Sequence, residues 1–327
     1  MGFIVAVLFL YLAFRNTEFS LVWSHIKNMN IFYMLLSLTA MFILFIGKGL
    51  RWRAMLVPIM SIPFKRLFPA MMIGYFAHNI LPFRMGDLMK CVYLKRKTGI
   101  SQTSILGSVL AEKFFDGLSL LLVAIVTLIF DLQIRNTHTI NVIHYLLILT
   151  VILLFLFYFF KRLPAPFKKF FRVLLFFTVR KKNYRKTRTH LKKFSHGFKS
   201  LGSKKPLLIS LGFSMFIWFF DLLSIYFLFL SFHVEISQPL LKAMIPLLII
   251  NLGVIIPTGP GDTGAFHYFG KIAFLLILPM GTHSEALATI LILMLHFFTI
   301  LPGFVLGGYY MIKEHVKIDL KELDHAG

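Results

Sequence analysis

The chain has 327 residues, of which 58% are hydrophobic and 15% are charged, and its mean hydropathy is +0.80. Several apolar runs are long enough to cross a ~30 Å hydrocarbon core, and too few charged residues accompany them to cover them in a soluble fold. The composition therefore argues against a soluble protein and predicts an all-α, polytopic membrane protein. The single cysteine, Cys91, excludes an internal disulfide and a cysteine-based metal cluster, and we expect no metal or cofactor.

The first apolar run, residues 3–14, is short for a span and could be mistaken for a signal peptide. No small-residue cleavage site follows it, so we predict an uncleaved first helix. A second span precedes Arg51 and Arg53, which we expect on the cytoplasmic side.

A Pro-x-x-x-Gly-Asp hexad occurs twice within apolar sequence, at residues 82–87 and 257–262. A backbone that breaks inside hydrocarbon leaves amides without helical partners, which is tolerated only inside protein or beside a wet cavity. The two hexads are therefore the predicted centre of function. The predicted hinge residues are Pro82, Gly86, Pro257 and Pro260.

The first hexad lies in a segment, residues 67–98, that has basic residues at both ends. Such a segment starts and finishes on the cytoplasmic side, which predicts a broken, re-entrant hairpin. Arg84, Asp87 and Lys90 are spaced three apart and share one face if the helix restarts at Gly86. They form either a local ion pair that closes the hairpin or a site where Arg84 binds a lipid phosphate.

The next predicted helix, near 104–130, carries Glu112 and Asp116 four residues apart on one face. Carboxylates inside a membrane are costly unless they are paired or hydrated, so we expect Arg84 or Lys90 as their partner. The two acids either form ion pairs that hold helices together or take part in moving a headgroup or a proton.

A strongly basic loop, residues 161–205, contains sixteen Lys and Arg residues and no acid. It follows a predicted span near 140–160 and is expected on the cytoplasmic side, where it binds anionic lipid headgroups with about 1 kcal/mol per charge. Beside two membrane spans this interpretation is favoured over nucleic-acid binding.

Two further spans are predicted after the loop, near 206–232 and 284–312. Asp221 shares a polar stripe with three serines of the first of these spans. His296 on the last span is its predicted partner, although a single histidine on an apolar helix is more often a hydrogen-bonded packing residue than a proton relay.

The second hexad lies in residues 240–282, which begin and end outside as either a re-entrant hairpin or two full crossings. Gly259 and Gly261 permit unusual backbone conformations, and the amides at the following helix start attract an anion. Asp262 is most simply interpreted as the cap of that helix.

Each half of the chain is predicted to contain two spans, a broken hairpin and a third span, and the two halves have opposite orientations in the membrane. We therefore predict one transmembrane domain built as an inverted repeat of residues 1–135 and 136–327, with about six full spans and two broken hairpins. This layout is typical of transporters that bind substrate near the membrane midplane.

An ordered set of motifs resembles the transmembrane flippase domain of lysylphosphatidylglycerol synthases and their stand-alone relatives, over nearly the whole chain. The motifs are Gly49-Leu-Arg51-Trp-Arg53, Gly74-Tyr-Phe-Ala-His-Asn79-Ile-Leu-Pro82-x-Arg84-x-Gly86-Asp87, Ala111-Glu112-Lys113-x-x-Asp116 and Ile256-Pro257-x-Gly259-Pro-Gly261-x-x-Gly264.

The resemblance implies movement of a lipid, often amino-acylated or isoprenoid-linked, between leaflets of the plasma membrane. Arg84, Asp87, Glu112 and Asp116 match polar positions of the family. The chain departs from the family at His267, where many members have Glu, and at His296, where they have Arg; both changes leave the identity of the headgroup open. The aminoacyltransferase domain of the full synthases is not expected.

These observations predict a lipid flippase that uses no nucleotide, in the plasma membrane with both termini cytoplasmic. The alternatives are a lipid-modifying enzyme, or its accessory subunit, with Glu112 and Asp116 as acid and base, and a scaffold whose basic loop recruits a partner. A second copy of the chain and a lipid-biosynthetic enzyme are both open as partners. The candidate substrate-binding residues are Asn79, Arg84, Asp87, Lys90, Glu112, Asp116, Asp221, Gly259, Gly261, Asp262, His267 and His296.

Overall fold

The computed structural model describes residues 2–81, 85–130, 204–279, 281 and 283–316, together with Ile148, Val151 and Gly197. Every regular element in these ranges is a helix. The elements are α1 (Gly2–Phe14), α2 (Phe19–Lys27), α3 (Ile31–Leu56), α4 (Phe64–Ile80), α5 (Gly86–Thr98), α6 (Gln102–Phe130), α7 (Lys204–Ser231), α8 (Pro239–Lys242), α9 (Met244–Gly253), a 3₁₀ turn (Pro260–Asp262), α10 (Ala265–Leu275) and α11 (Ser284–Lys313).

Three of the described helices, α3, α7 and α11, are long and apolar enough to cross a membrane. The pair α1 and α2, bent by 75°, gives a fourth candidate if it forms one span. Helix α6 has 29 residues but carries Glu112, Lys113 and Asp116 within its length. The described residues therefore confirm an all-helical membrane protein with three or four candidate spans, fewer than the six predicted. The predicted span near 140–160 lies outside them.

Helices α3 and α7 form the central packing of the molecule. The Ser37 hydroxyl donates to the Ser224 carbonyl oxygen at 2.8 Å, and the two hydroxyl oxygens are 2.9 Å apart. The serines that form a polar stripe on α7 are all fully buried, as are Trp52 and Phe229 nearby. The polar side of α7 therefore faces protein, where hydrogen bonds offset the cost of leaving water.

The first hexad joins α4 to α5, and these two helices pack closely side by side. The backbones approach where Gly86 faces the Gly74 carbonyl group, and a Cβ on Gly86 would lie 2.7 Å from the backbone nitrogen of His78. On its other side α4 packs along α11, where Gly303 and Gly307 leave room for its side chains. Helix α4 is thus packed between α5 and α11.

The second hexad joins α9 to α10, which have 10 and 11 residues. At about 1.5 Å per residue these helices are roughly 15 to 17 Å long, about half of the hydrocarbon thickness. Neither helix is long enough to be a full crossing by itself. Helix α1 covers α10, and the rings of Phe9 and Tyr268 are stacked with centroids 5.1 Å apart.

Two lysines that sequence reasoning did not single out tie helix ends together. Lys271 on α10 is buried, donates to the Ala13 carbonyl oxygen at 2.8 Å and to Thr17 at 2.9 Å, and pairs with Glu285. Lys97 at the end of α5 donates to Glu314 beyond α11 at 2.6 Å. This hydrogen bond holds the pKa of Glu314 below its ordinary value.

We expect Gly86→Ala to destabilise the protein by about 1 to 3 kcal/mol, because the added methyl group collides with backbone atoms of α4 that cannot move aside. Gly212→Ala is the matched control, since a Cβ at that position on α7 meets no atom within 4 Å. Thermal melting in detergent measures both. Equal melting temperatures for the two variants would show that the α4–α5 contact is not as close as described.

Candidate functional site

The two hairpins meet at their broken tips. His78 and Asn79 lie in the last turn of α4 and contact the 3₁₀ turn of the second hexad. The His78 Nε2 atom is 3.3 Å from the Asp262 carboxylate. The Asn79 amide lies close to Gly261 and donates to the Ile300 carbonyl oxygen of α11 at 3.2 Å. Residues 182 or more positions apart in the chain thus form one polar contact.

The backbone of the second hexad is unusual at two consecutive residues. Gly261 has φ 61°, and Asp262 has φ 58°, a conformation that few residues other than glycine adopt. Backbone conformations of this kind cluster at functional sites. The prediction that Asp262 caps the next helix is wrong, because the N-cap of α10 is Gly264 and no side chain caps it. Asp262 faces His78 instead, since the left-handed turn directs it toward α4.

His296 holds the break from the side of α11. Its Nε2 atom donates to the Gly261 carbonyl oxygen at 2.8 Å, so an acceptor freed by the break is satisfied. The prediction that His296 pairs with Asp221 is wrong, because the ring is turned toward the second hexad. Its ring centroid lies 4.5 Å from that of Phe266 and 4.5 Å from that of His267. The interpretation of His296 as a hydrogen-bonded packing residue therefore agrees with the structure.

His267 and the remaining residues of the second hexad surround this contact. His267 is buried, and its Nδ1 atom has no hydrogen-bond partner among the described residues. The Gly259 amide donates to the Thr263 carbonyl oxygen at 3.3 Å. Pro257 is exposed in the loop after α9, whereas Pro260 begins the 3₁₀ turn. The two predicted hinges of the second hexad therefore both lie on the α9 side of Gly261 and Asp262.

A buried group of charges lies beside the first hairpin. Lys90 donates to Glu112 on α6 at 2.8 Å, lies 3.4 Å from Asp87, and is 4.9 Å from the centre of the Trp52 ring. Lys90 and Glu112 are 6% and 7% exposed, so the pair is shielded from solvent. Lys113 lies 3.9 Å from the other Asp87 oxygen. Of the two predicted partners for Glu112, the structure places Lys90 in that role.

Asp116 pairs with a residue that was expected elsewhere. Its carboxylate is 2.7 Å from the guanidinium of Arg51, which also donates to the Ser214 hydroxyl at 3.0 Å. Arg51 was expected among the exposed cytoplasmic charges, but it is 2% exposed because α3 continues to Leu56 and carries this residue into the protein. The pair joins α3, α6 and α7. Neither Lys90 nor a residue of the first hexad is therefore needed to satisfy Asp116.

A cavity of about 80 Å³ lies between α3, α7, α9, α10 and α11. Asp221 faces it from α7, with Lys48 on α3, Asn251 on α9 and Thr299 on α11. Most of the remaining lining is apolar. The cavity is therefore a small space with four polar side chains, bounded by helices from both halves of the chain.

Two of the predicted site residues, Pro82 and Arg84, lie outside the described residues. The structure adds His78, Lys48 and Arg51, which sequence reasoning did not select. His78 and Arg51 lie within motifs of the family resemblance. Lys48 could have been selected from the sequence alone, because an ionisable residue in an apolar span is by default a functional candidate.

The family model for the transmembrane region of lysylphosphatidylglycerol synthase matches residues 1–307. The chain belongs to this family. It is 26% identical over 254 residues to a UPF0104 membrane protein of Methanocaldococcus jannaschii, covering 74% of this chain and 96% of that protein. No solved structure matches the chain. The family predicted from the motifs is thereby confirmed.

We expect Lys90→Met to destabilise the protein by about 3 to 5 kcal/mol, because Glu112 is left as an unpaired buried charge. Combining it with Glu112→Leu restores most of that loss, since the double variant buries no charge at this position. Lys113→Met is the control and costs less than about 1 kcal/mol, as its ammonium is exposed. The free energy of unfolding in detergent is measured for Lys90→Met, Glu112→Leu, the double variant and Lys113→Met. Strict additivity of the two single changes would contradict a coupled pair.

Proposed function

We propose that the protein moves a lipid between the two leaflets of its membrane without using a nucleotide. The observation that carries the proposal is the contact between the two broken hairpin tips, formed by His78 and Asn79 with Gly261 and Asp262. A lipid headgroup needs a polar route through hydrocarbon, and interrupted helices that meet inside protein provide one. Membership of the family supports a lipid-related role.

The packing of the helices supports an inverted repeat. In this comparison α4, α5 and α6 correspond to α9, α10 and α11. Helix α4 packs on α11, and its counterpart α9 packs on α6. Likewise α5 packs on α6, and its counterpart α10 packs on α11. Helix α3 contacts α4, α6 and α11, and α7 makes the corresponding contacts with α9, α11 and α6. The central pair, α3 and α7, is its own counterpart. Exchanging α3, α4, α5 and α6 with α7, α9, α10 and α11 therefore leaves the pattern of neighbours among these eight helices unchanged, as expected of two related halves.

The lengths of the hairpin helices support re-entry of the second hairpin. Helices α9 and α10 each reach only about half of the hydrocarbon thickness, so a hairpin made from them enters and leaves on one face. Because its tip touches the tip of the first hairpin, the contact lies deep in the protein. We infer that the two hairpins approach from opposite faces and control access to the space between them.

Two of the cations inside the bundle already have acidic partners. Lys90 is bound to Glu112 and Asp87, and Arg51 is bound to Asp116, so both cations hold helices together. We therefore keep the predicted phosphate contact for Arg84, which lies outside the described residues, and not for Lys90. The planar guanidinium of an arginine favours contact with phosphate oxygens. The basic loop 161–205 would collect anionic lipid at the membrane surface.

Reconstituted vesicles that carry a fluorescent anionic phospholipid test this proposal, with chemical quenching of the outer leaflet as the measure of lipid movement. We expect the wild-type protein to accelerate movement over protein-free vesicles. Asp262→Asn should slow it by about tenfold or more, since a charge-assisted contact between the tips contributes roughly 1.5 to 3 kcal/mol. Glu314→Gln, at the surface pair with Lys97, is the control and leaves the rate within about twofold.

Three outcomes would contradict a transporter. Wild-type vesicles that move lipid no faster than protein-free vesicles would remove the proposed activity. A modified lipid formed without transfer between leaflets, and lost in Glu112→Ala, would favour a lipid-modifying enzyme. A partner enzyme that co-purifies through residues 161–205 in the absence of either activity would favour a scaffold.

A further inference from the structure

Among the described residues, Asp221 differs from the other acids inside the helix bundle in having no hydrogen-bonding or ion-pair partner there. Glu112 and Asp116 are bound to Lys90 and Arg51, and Asp262 faces His78. No hydrogen bond or ion pair of the described chain reaches the Asp221 carboxyl group. An ionised carboxylate without a partner is costly inside a membrane protein, so this group needs a proton or a cation.

The two uncharged polar neighbours in the cavity, Asn251 and Thr299, use donors on their own helices. The Asn251 amide donates to the Leu247 carbonyl oxygen at 2.8 Å, and the Thr299 hydroxyl donates to the Leu295 carbonyl oxygen at 2.9 Å. The Thr299 donor and one Asn251 N–H are thus used by the backbone of their own helices. Both residues offer mainly acceptor oxygens to the cavity, and acceptors favour a carboxyl group that carries a proton.

Lys48 is the cation that shares the cavity with Asp221. Its ammonium nitrogen lies 5.1 Å from the centre of the Phe45 ring and 5.3 Å from that of Tyr75. It is therefore held over two aromatic rings and forms no ion pair with a described acid. A lysine side chain is long and flexible, so a change of rotamer would carry this ammonium into the cavity.

We propose that Asp221 is a proton-binding site, and that its proton and the Lys48 ammonium are alternative partners of the carboxylate. In one state Asp221 carries the proton and the Lys48 ammonium rests on the aromatic rings, where the structure places it. When the proton leaves to water in the cavity, the net charge of the two side chains falls by one, and the Lys48 ammonium moves to the carboxylate and neutralises it. A cavity of about 80 Å³ has room for several waters, which provides the path for the proton.

Among the described residues around Asp221, Lys48 is the cation available for this exchange. Phe266 of α10 stands between the cavity and the His296 ring, which is bound to Gly261. Helices α9 and α11 contribute Asn251 and Thr299, neither of which titrates. Beyond Lys48 lie the Tyr75 hydroxyl of α4 and the Asp116–Arg51 pair. Asp116 and Asp221 both lie within electrostatic range of Lys48, but Asp116 is already neutralised by Arg51.

The exchange would couple a proton to the movement of helices. Lys48 and Asp221 lie on α3 and α7, the central pair of the fold, while Tyr75 belongs to the first hairpin. Transfer of the Lys48 ammonium from Tyr75 to Asp221 would remove a contact with the first hairpin. A proton gradient would thus favour one position of the first hairpin over another. The effect of this shift on lipid movement rests on the proposed function.

Infrared spectroscopy of the protein in nanodiscs tests the proton site without any lipid substrate. We expect a carbonyl band of a protonated carboxylic acid that weakens as the pH rises and that is absent in Asp221→Asn. In Lys48→Met the band should persist to higher pH, by about one unit or more, because the competing cation is gone. Glu235→Gln, at an exposed acid in the loop after α7, is the matched control and leaves the band unchanged.

Each result of this titration bears on the proposal. A band that remains in Asp221→Asn, a band that never changes with pH, or a midpoint that Lys48→Met does not move would overturn it. Asp221→Asn loses no described contact and should melt as the wild type does, so a lost band cannot be attributed to unfolding.

The coupling has its own test in vesicles with an imposed proton gradient. We expect the gradient to change the rate of lipid movement in the wild type but not in Asp221→Asn, when each protein is compared with itself in vesicles without a gradient. Equal responses of the two proteins would overturn the coupling. If wild-type vesicles move no lipid at all, the proposed function fails, whereas the infrared titration still decides whether Asp221 binds a proton.

Discussion

A backbone that leaves its helix inside a membrane must have its polar groups satisfied by protein, and the contact between the two hairpin tips meets that requirement. The Gly261 carbonyl oxygen accepts from His296, and Asp262 faces His78. Asn79 reaches the backbone of α11 at Ile300. The second break is therefore satisfied by groups outside its own hairpin. Since these groups belong to α4 and α11, the interrupted hairpin is stable only within the assembled bundle.

The ionisable groups in the interior have two different roles. The pairs Lys90 with Glu112 and Arg51 with Asp116 join neighbouring helices, and each removes the cost of an unpaired charge. Lys48 and Asp221 face one cavity without forming such a pair. This difference separates charges that fix the structure from charges that can change partner. The proposed lipid transport would need both kinds, because some helices must stay together while others move.

The sequence predicted much of the fold because its signals are local. Hydropathy and the two hexads were enough for an all-helical membrane protein with two interrupted hairpins, and the motifs were enough for the family. Arg84 and Lys90 were both predicted as partners of Glu112, and the structure shows Lys90 in that role. Six spans were predicted, whereas length and apolarity support three or four in the described residues. The difference arises in part because α6 carries charged residues that the bundle pairs.

By itself the sequence determined the membrane class, the positions of both helix breaks and the faces that carry polar side chains, since each depends on a short stretch of chain. Only the tertiary structure decided which polar groups meet. His78 and Asp262 are 184 residues apart, and Arg51 and Ser214 are 163 apart. The His296 ring faces Gly261, so Asp221 faces the cavity together with Lys48 instead. Such pairings depend on the rotation and depth of each helix in the bundle, which follow from packing between segments far apart in the chain.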